Sequence, residues 1–431
     1  MDRRSSQYLI AGIALVSCLL AIWMTGRAGL SRLLSEYAAR SSAAPSESQA
    51  NRVAIADRAV RLAPTDPAAH RARAIALADA GQLEEAIREH ERVVALRPNH
   101  YTLWLELGRA RDQRDDQQGA VEAFTEATRL APHYAQPHWQ LGNVMFRMGR
   151  REEAFAELRR AAISDLALLP AAIDLVWAAY SGDARAVERV FEPQTAEWRL
   201  ALARHFARHG KAAEAVEQFR AAGRIPESER RAFLLGLLTA RQFTAAYDVW
   251  SSGAETKNGE RRSGIGQITD GSFESGLKFD DPGFGWQLAR NIPALRFSLD
   301  TAEPKEGAHS IRIDFNGDYN SAIALLTQLV LVESKARYRL RFASRSQEMV
   351  TGGLPIVMVS DAGGAGGGVR ALAESRPLPQ GSSGWQDQTM EFTTGDETSA
   401  VLIVVVRQSC GSGPCPIFGR IWLDQFSIEK L

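Results

Sequence analysis

Two of the eight histidines, His205 and His209, stand four residues apart, the spacing with which one helical face can present two imidazoles to a metal ion. A zinc protease also needs a glutamate directly after the first histidine and a third ligand. Here Phe206 follows, and no third ligand stands nearby. The run from Asp361 to Gly368 is glycine-rich enough to present backbone N–H groups to a phosphate. It lacks the lysine and the Ser/Thr that complete a nucleotide loop, and it leads toward another strand rather than a helix. No Gly-x-Ser-x-Gly elbow occurs, and the acids Asp314, Asp318 and Glu348 are scattered rather than paired for glycoside cleavage. These observations point to binding rather than catalysis.

Three cysteines occur. Cys410 and Cys415 enclose Gly-Ser-Gly-Pro, a spacing that allows either a disulfide across a tight loop or two reduced thiols. A disulfide would persist only in an oxidising compartment. Cys18 closes the tetrapeptide Leu15-Val16-Ser17-Cys18, which resembles a lipoprotein box, so lipidation of Cys18 competes with an uncleaved anchor. The anchor is favoured because Leu19 to Met24 stay apolar, and no charged residue occurs from Tyr8 to Thr25. Arg3 and Arg4 precede the run, which predicts a cytoplasmic amino terminus and an exported remainder, against the opposing Arg27 and Arg32. With 51 basic and 51 acidic residues the chain lacks the electrostatic pull that nucleic-acid binding requires.

The elements that would position any site fall into two textures. Pro64, Pro98 and Pro132 follow one another at 34-residue intervals, each ending an amphipathic segment: RAVRLAP, ERVVALRP and TEATRLAP. In the unit from Tyr101, Trp104, Leu107, Gly108, Ala120, Phe124 and Ala127 stand at the positions typical of tetratricopeptide repeats, which the segment resembles. Gly108 and Ala120 are placed where two antiparallel helices approach closely. The resemblance implies a solenoid with an inner groove for a protein partner, and Arg109, Arg111, Asn143 and Arg147 on first helices are its candidate contacts.

From Ile268 onward, short alternating stretches such as Ser310 to Phe315, Tyr338 to Phe342 and Leu402 to Val406 predict an antiparallel sandwich. Asp270 to Glu274 with Gly285-Trp286, Gly307 to Ile313, Tyr338 to Arg345, and Gly384-Trp385 through Ile421 to Ile428 occur in an order that resembles carbohydrate-binding modules of the galactose-binding-like jelly-roll type. That resemblance implies a candidate structural calcium at Glu274 and Asp424, and otherwise no cofactor. It also implies a glycan-binding surface, for which Tyr319, Gln328, Arg345 and Trp286 are candidates. Phe392, Trp385 and an inward Trp422 alternating with Phe426 are expected in the core.

The expected architecture is multidomain. Residues 1–25 form a leader and transmembrane helix, 26–48 a linker, 49–252 an all-α tetratricopeptide solenoid, 253–266 a second linker, and 267–431 an all-β jelly-roll sandwich. The expected function is that of a single-pass inner-membrane scaffold with its bulk in the periplasm. Its repeats bind a protein and its sandwich a glycan or second protein, in a setting such as surface-polysaccharide export or assembly. The alternatives are a carbohydrate-active enzyme and a cytoplasm-facing adaptor.

Overall fold

The structure is a computed structural model that describes residues 3–39, 46–252, 264–277, 281, 283–363, 371–410 and 415–431. Most of the first linker's end, most of the second linker and most of the glycine-rich run after Gly363 lie outside the described residues. The chain divides into two compact units, residues 1–192 and 193–431.

The first unit opens with α1 (Arg3–Ala39), whose segment Gly12–Ala39 is long and apolar enough to cross a membrane. Its first half exposes Ile13, Leu15, Val16, Leu19, Leu20 and Trp23. The second half differs from the expected polar linker: it is helical and packs against α2 (Ser46–Leu62) and α3 (Pro67–Asp79). Ser31, Ser35 and Ala38 recur at helical spacing and form a small-residue stripe that lets the backbones approach. The Ser31 hydroxyl donates to the Ala59 carbonyl at 3.0 Å, and buried Arg52 donates twice to the Ala38 carbonyl at the end of α1. α2, which opens the stretch expected to be the solenoid, therefore has a first-helix partner in α1.

Pairs α3 with α4 (Leu83–Leu96), α5 (Tyr101–Gln113) with α6 (Gln117–Leu130), and α7 (Ala135–Arg147) with α8 (Arg151–Ser164) follow. A shorter pair, α9 (Leu169–Ala179) and α10 (Ala184–Phe191), completes the unit. Each pair turns through a residue with left-handed backbone at the same point. Gly81 and Gly149 do so at φ 76° and 78°, and Asp115, midway between them, at 66°. The next N–H then reaches back five residues, from Gln82, Asp116 and Arg150 to the carbonyls of Leu77, Arg111 and Met145, closing the first helix.

Within each pair the close approach is set by size. A Cβ on Gly108 would fall inside the fully buried Phe124 ring, the centre of a cluster with Leu105, Leu141, Val144 and Ala154. Between pairs, the fourth residue of α3, α5 and α7 points a ring nitrogen at the carbonyl of the proline that ended the previous pair. His70 Nε2 lies 2.8 Å from the Pro64 carbonyl, Trp104 Nε1 2.7 Å from that of Pro98, and His138 Nε2 3.0 Å from that of Pro132. The other nitrogen of each histidine meets a carboxylate from the second helix, Glu89 at 2.5 Å and Glu157 at 2.6 Å.

The second unit begins with two more pairs, α11 (Ala196–Arg208) with α12 (Ala212–Ala221) and α13 (Glu227–Thr239) with α14 (Phe243–Ser252). A β-sandwich follows: β1 (Gln287–Leu288), β2 (Leu295–Asp300), β3 (Ser310–Gly317), β4 (Leu326–Leu331), β5 (Arg337–Thr351), β6 (Pro355–Asp361), β7 (Ala371–Glu374), β8 (Gly381–Thr393), β9 (Ala400–Arg407) and β10 (Ile417–Lys430). Two five-stranded antiparallel sheets run β1-β4-β9-β6-β7 and β2-β3-β10-β5-β8. From β3 to β10 the chain crosses between sheets at every step except the β6–β7 hairpin, the wrapping of a jelly roll. Ile311, Ile313, Leu340, Phe342, Ile403, Val405, Ile421 and Leu423 fill the interior, capped by a ring cluster of Phe273, Trp286 and Phe426.

Trp422 departs from its expected inward place. It is buried on the outer face of its sheet, beneath Arg345 and Arg312, with Nε1 donating to Asp300 at 2.7 Å. A bulge at Gln425, with φ 54°, shifts the alternation between Asp424 and Ser427, so Phe426 faces the core and Trp422 does not. Trp385 is likewise outside the core, half-buried, with Nε1 on the Glu303 carbonyl at 3.1 Å.

Gly108→Ala is expected to cost about 1–3 kcal/mol, because the new methyl must displace the Phe124 ring; chemical denaturation followed by circular dichroism at 222 nm measures it. A second expectation concerns pH. Accepting a hydrogen bond from its ring, Glu157 raises the proton affinity of His138. A folded pKa above the unfolded value gives stability that is complete below about pH 6.5 and lost as pH rises through the raised value. Helical thermal stability should therefore fall over that window in the wild-type chain, and less steeply in His138→Gln. An unchanged slope would show that the pair is not the cause.

Candidate functional site

Three consecutive first helices, α3, α5 and α7, line a groove of about 450 Å3 in the first unit. Pro67, Ala68 and Arg71 come from α3, Thr102, Leu103, Leu105, Glu106 and Arg109 from α5, and Gln136 from α7, while Arg97 and His100 rise from the turn after α4. The repeat places equivalent positions of successive first helices side by side, which explains why residues 35 apart meet. Arg71 grips Glu106 with Nε at 2.7 and 3.0 Å, and Arg147 grips Asp112 at 2.7 Å. Glu106 in turn raises the proton affinity of Arg71 through these hydrogen bonds. The Arg71 charge is thus balanced. Arg97 and Arg109 have no acidic partner among the described residues.

Of the four groove residues expected from sequence, only Arg109 lines the groove. Arg111 instead bridges helices, donating to Glu91 at 2.9 Å and to the Gly119 carbonyl at 3.0 Å. Arg147 is held by Asp112, and Asn143 donates to the Trp139 carbonyl of its own helix at 2.8 Å. Sequence reasoning missed Arg71, Arg97, His100 and Gln136. The 35-residue offset of Arg71 and Glu106, one repeat plus one, is the signal that marks the first of these.

The sandwich residues nominated for a glycan are not brought together. Trp286 is buried among Phe273 and Phe426, with Nε1 on the Asp270 carbonyl at 3.0 Å. Gln328 is 1% exposed, and its side-chain amide pairs with both the N–H and the C=O of Thr269, at 3.0 and 2.8 Å. Arg345 forms an ion pair with Glu303 and lies 4.9 Å above the Trp422 ring. Tyr319 stacks on Phe315 beneath Arg407, whose guanidinium lies 5.1 Å from the ring. Its hydroxyl is buried and has no well-aligned hydrogen bond among the described residues, and burial pushes it up to about 12 against the lowering effect of the Arg407 guanidinium.

The candidate calcium residues fasten the loop of residues 301–309 instead. Glu274 accepts the N–H groups of Ala308 and His309 at 2.9 and 3.1 Å, and its other oxygen meets His309 Nδ1 at 3.1 Å, which lowers its carboxyl below the usual range. Asp424 accepts from Lys305 at 3.0 Å and Gln425 at 2.7 Å, while burial raises its carboxyl against those bonds. Calcium takes six to eight oxygens. Two carboxylates already engaged by N–H donors do not fit that demand, and among the described residues no group of three or more His, Cys, Asp or Glu could hold a metal. The rings of His205 and His209 stand 4.4 Å apart, again without such a group. A disulfide joins Cys410 to Cys415, beside the Arg407 guanidinium, and Cys18 is exposed in α1.

Two substitutions separate structural from surface roles. Gln328→Ala should destabilise the sandwich by about 2 kcal/mol or more, since it strands the Thr269 N–H and C=O. Tyr319→Phe should be neutral or slightly stabilising, since the lost hydroxyl makes no well-aligned hydrogen bond; thermal denaturation of the two variants reads both.

Residues 71–135 and 182–229 match the tetratricopeptide repeat model. No curated protein matches the chain. Solved structures of MamA are similar to part of the chain. One, titled as a crystal structure of MamA, is 19% identical over 40% of this chain and 86% of its own, with TM-score 0.27. MamA 41-end from Desulfovibrio magneticus RS-1 is 20% identical over 38% and 94%, with TM-score 0.33. A MamA RS-1 ArsTM double mutant is 18% identical over 46% and 97%, with TM-score 0.33. At these scores no role is carried over from them. The helical part of this chain carries tetratricopeptide repeats, and an antiparallel β-sandwich follows it.

Proposed function

We propose that the chain is a membrane-anchored extracytoplasmic scaffold, held by α1, whose repeats bind a protein partner and whose sandwich contacts a glycan or a second protein. The observation that carries this reading is the groove shared by three consecutive first helices, a concave surface built by the repeat itself. The anchor rests on the exposed apolar half of α1, and the oxidising side of the membrane on the Cys410–Cys415 bond. Surface-polysaccharide export or assembly is a setting that suits both binding parts.

For a glycan, Phe418 serves better than the residues nominated from sequence. Its ring is 45% exposed on the outer face of its sheet, register-paired with Val350 and Asn316. Arg420, two residues on, is held by Asp314 at 3.2 Å and by Gln347 at 3.3 Å. An open ring flanked by ordered polar groups is what a pyranose face requires.

Reporter fusions at the C-terminus should be active only with a reporter that works outside the cytoplasm; activity of the cytoplasmic kind rejects the orientation. On a glycan panel the full chain should bind without releasing products, and Phe418→Ala should weaken that binding while leaving thermal stability unchanged. Product formation would replace the module by an enzyme, and silence on the panel would leave the sandwich to a protein.

A further inference from the structure

We propose that the groove between α3, α5 and α7 selects an acidic segment of the partner protein. This rests on the protein-binding reading above and adds the partner's chemistry. Three arginines line the groove, and Glu106 neutralises Arg71. Arg97 and Arg109 remain as uncompensated guanidiniums, one rising from the turn after α4 and one from the middle of α5. Arg97 is exposed and Arg109 half-buried, so both are reachable from solvent. Positive charge concentrated in a concave surface attracts an anionic ligand more strongly than the same charge on a flat face. It is the local pattern that counts, since the chain as a whole is neutral.

The planar fork of an arginine matches a carboxylate in two parallel hydrogen bonds, as Arg71 already demonstrates within this groove, where Nε donates to one oxygen of Glu106 and Nη2 to the other. A partner's Asp or Glu side chains would repeat that geometry at Arg97 and Arg109, while Gln136 offers uncharged hydrogen bonds to its backbone. The apolar lining of Pro67, Ala68 and Leu103 suits intervening aliphatic side chains. An anionic polysaccharide is disfavoured because the lining contains no Phe, Tyr or Trp. The one ring there, His100, is occupied, with Nδ1 on the Thr102 hydroxyl at 2.8 Å and a stacked contact to Tyr101. A groove of about 450 Å3 accommodates a few residues, so the recognised unit is a short extended stretch.

The test is selection of a random dodecapeptide display library on the full-length chain in detergent micelles. It is repeated with the double variant Arg97→Gln, Arg109→Gln and with the control Arg129→Gln, whose arginine pairs with Glu126 on the exposed side of α6. The expected result is enrichment of Asp- and Glu-rich peptides on the wild type and the control. The double variant should bind the selected peptides at least about tenfold more weakly, with a reduced dependence on salt. Acidic peptides that bind the double variant equally well would overturn the assignment to this groove. Enriched peptides without acidic residues would overturn the acidic preference and leave the protein-binding reading intact. No enrichment would overturn both. Soluble polygalacturonate that binds the groove more tightly than any selected peptide would replace the peptide by an anionic glycan.

Discussion

The middle of the first unit depends on one recurring hydrogen bond, from the ring on the fourth residue of α3, α5 and α7 to the carbonyl of the proline that closed the preceding pair. A proline after the helix end supplies no N–H, but its carbonyl lies outside the helical ladder and needs a donor. Supplying that donor from the next pair fixes the turn and the first helix together. Histidine and tryptophan do this interchangeably, since each offers an N–H on a flat ring that also packs. Histidine adds a second nitrogen, which the structure uses to reach Glu89 or Glu157 on the second helix.

Charge in the repeats is spent in two ways. Most arginines on the first helices are structural: Arg111 and Arg147 tie neighbouring helices through acids and a carbonyl, so their charge contributes little to a ligand. Arg97, in the turn after α4, and Arg109 differ in that neither forms an ion pair among the described residues, Glu106 being taken by Arg71.

In the sandwich the polar groups most suggestive of a ligand hold the chain's own loop. Glu274 and Asp424 accept backbone N–H groups from residues 305, 306, 308 and 309, while Arg345 and Trp385 clasp Glu303 from the sheet below. This closes one part of the outer face over Trp422. Away from it, Phe418 and Val350 remain exposed at 45% and 61%.

The sequence by itself determined the repeat register and the alternation of the strands. Prolines 34 apart, the small residue at Gly108 and the apolar run of α1 are local or strictly periodic signals, whereas the ring that Gly108 admits, Phe124, was seen only in the fold. Only the tertiary structure decided that residues 26–39 are a packed helix, because Ser31, Ser35 and Ala38 read as polar linker until α2 lies against them. It alone placed Trp422 outside, since one left-handed residue at Gln425 reverses the strand's phase without a mark in composition. It alone also separated Arg109 from Arg111, Asn143 and Arg147. All four share helices and hydrogen-bonding chemistry, and what distinguishes them is whether a partner distant in sequence reaches them first.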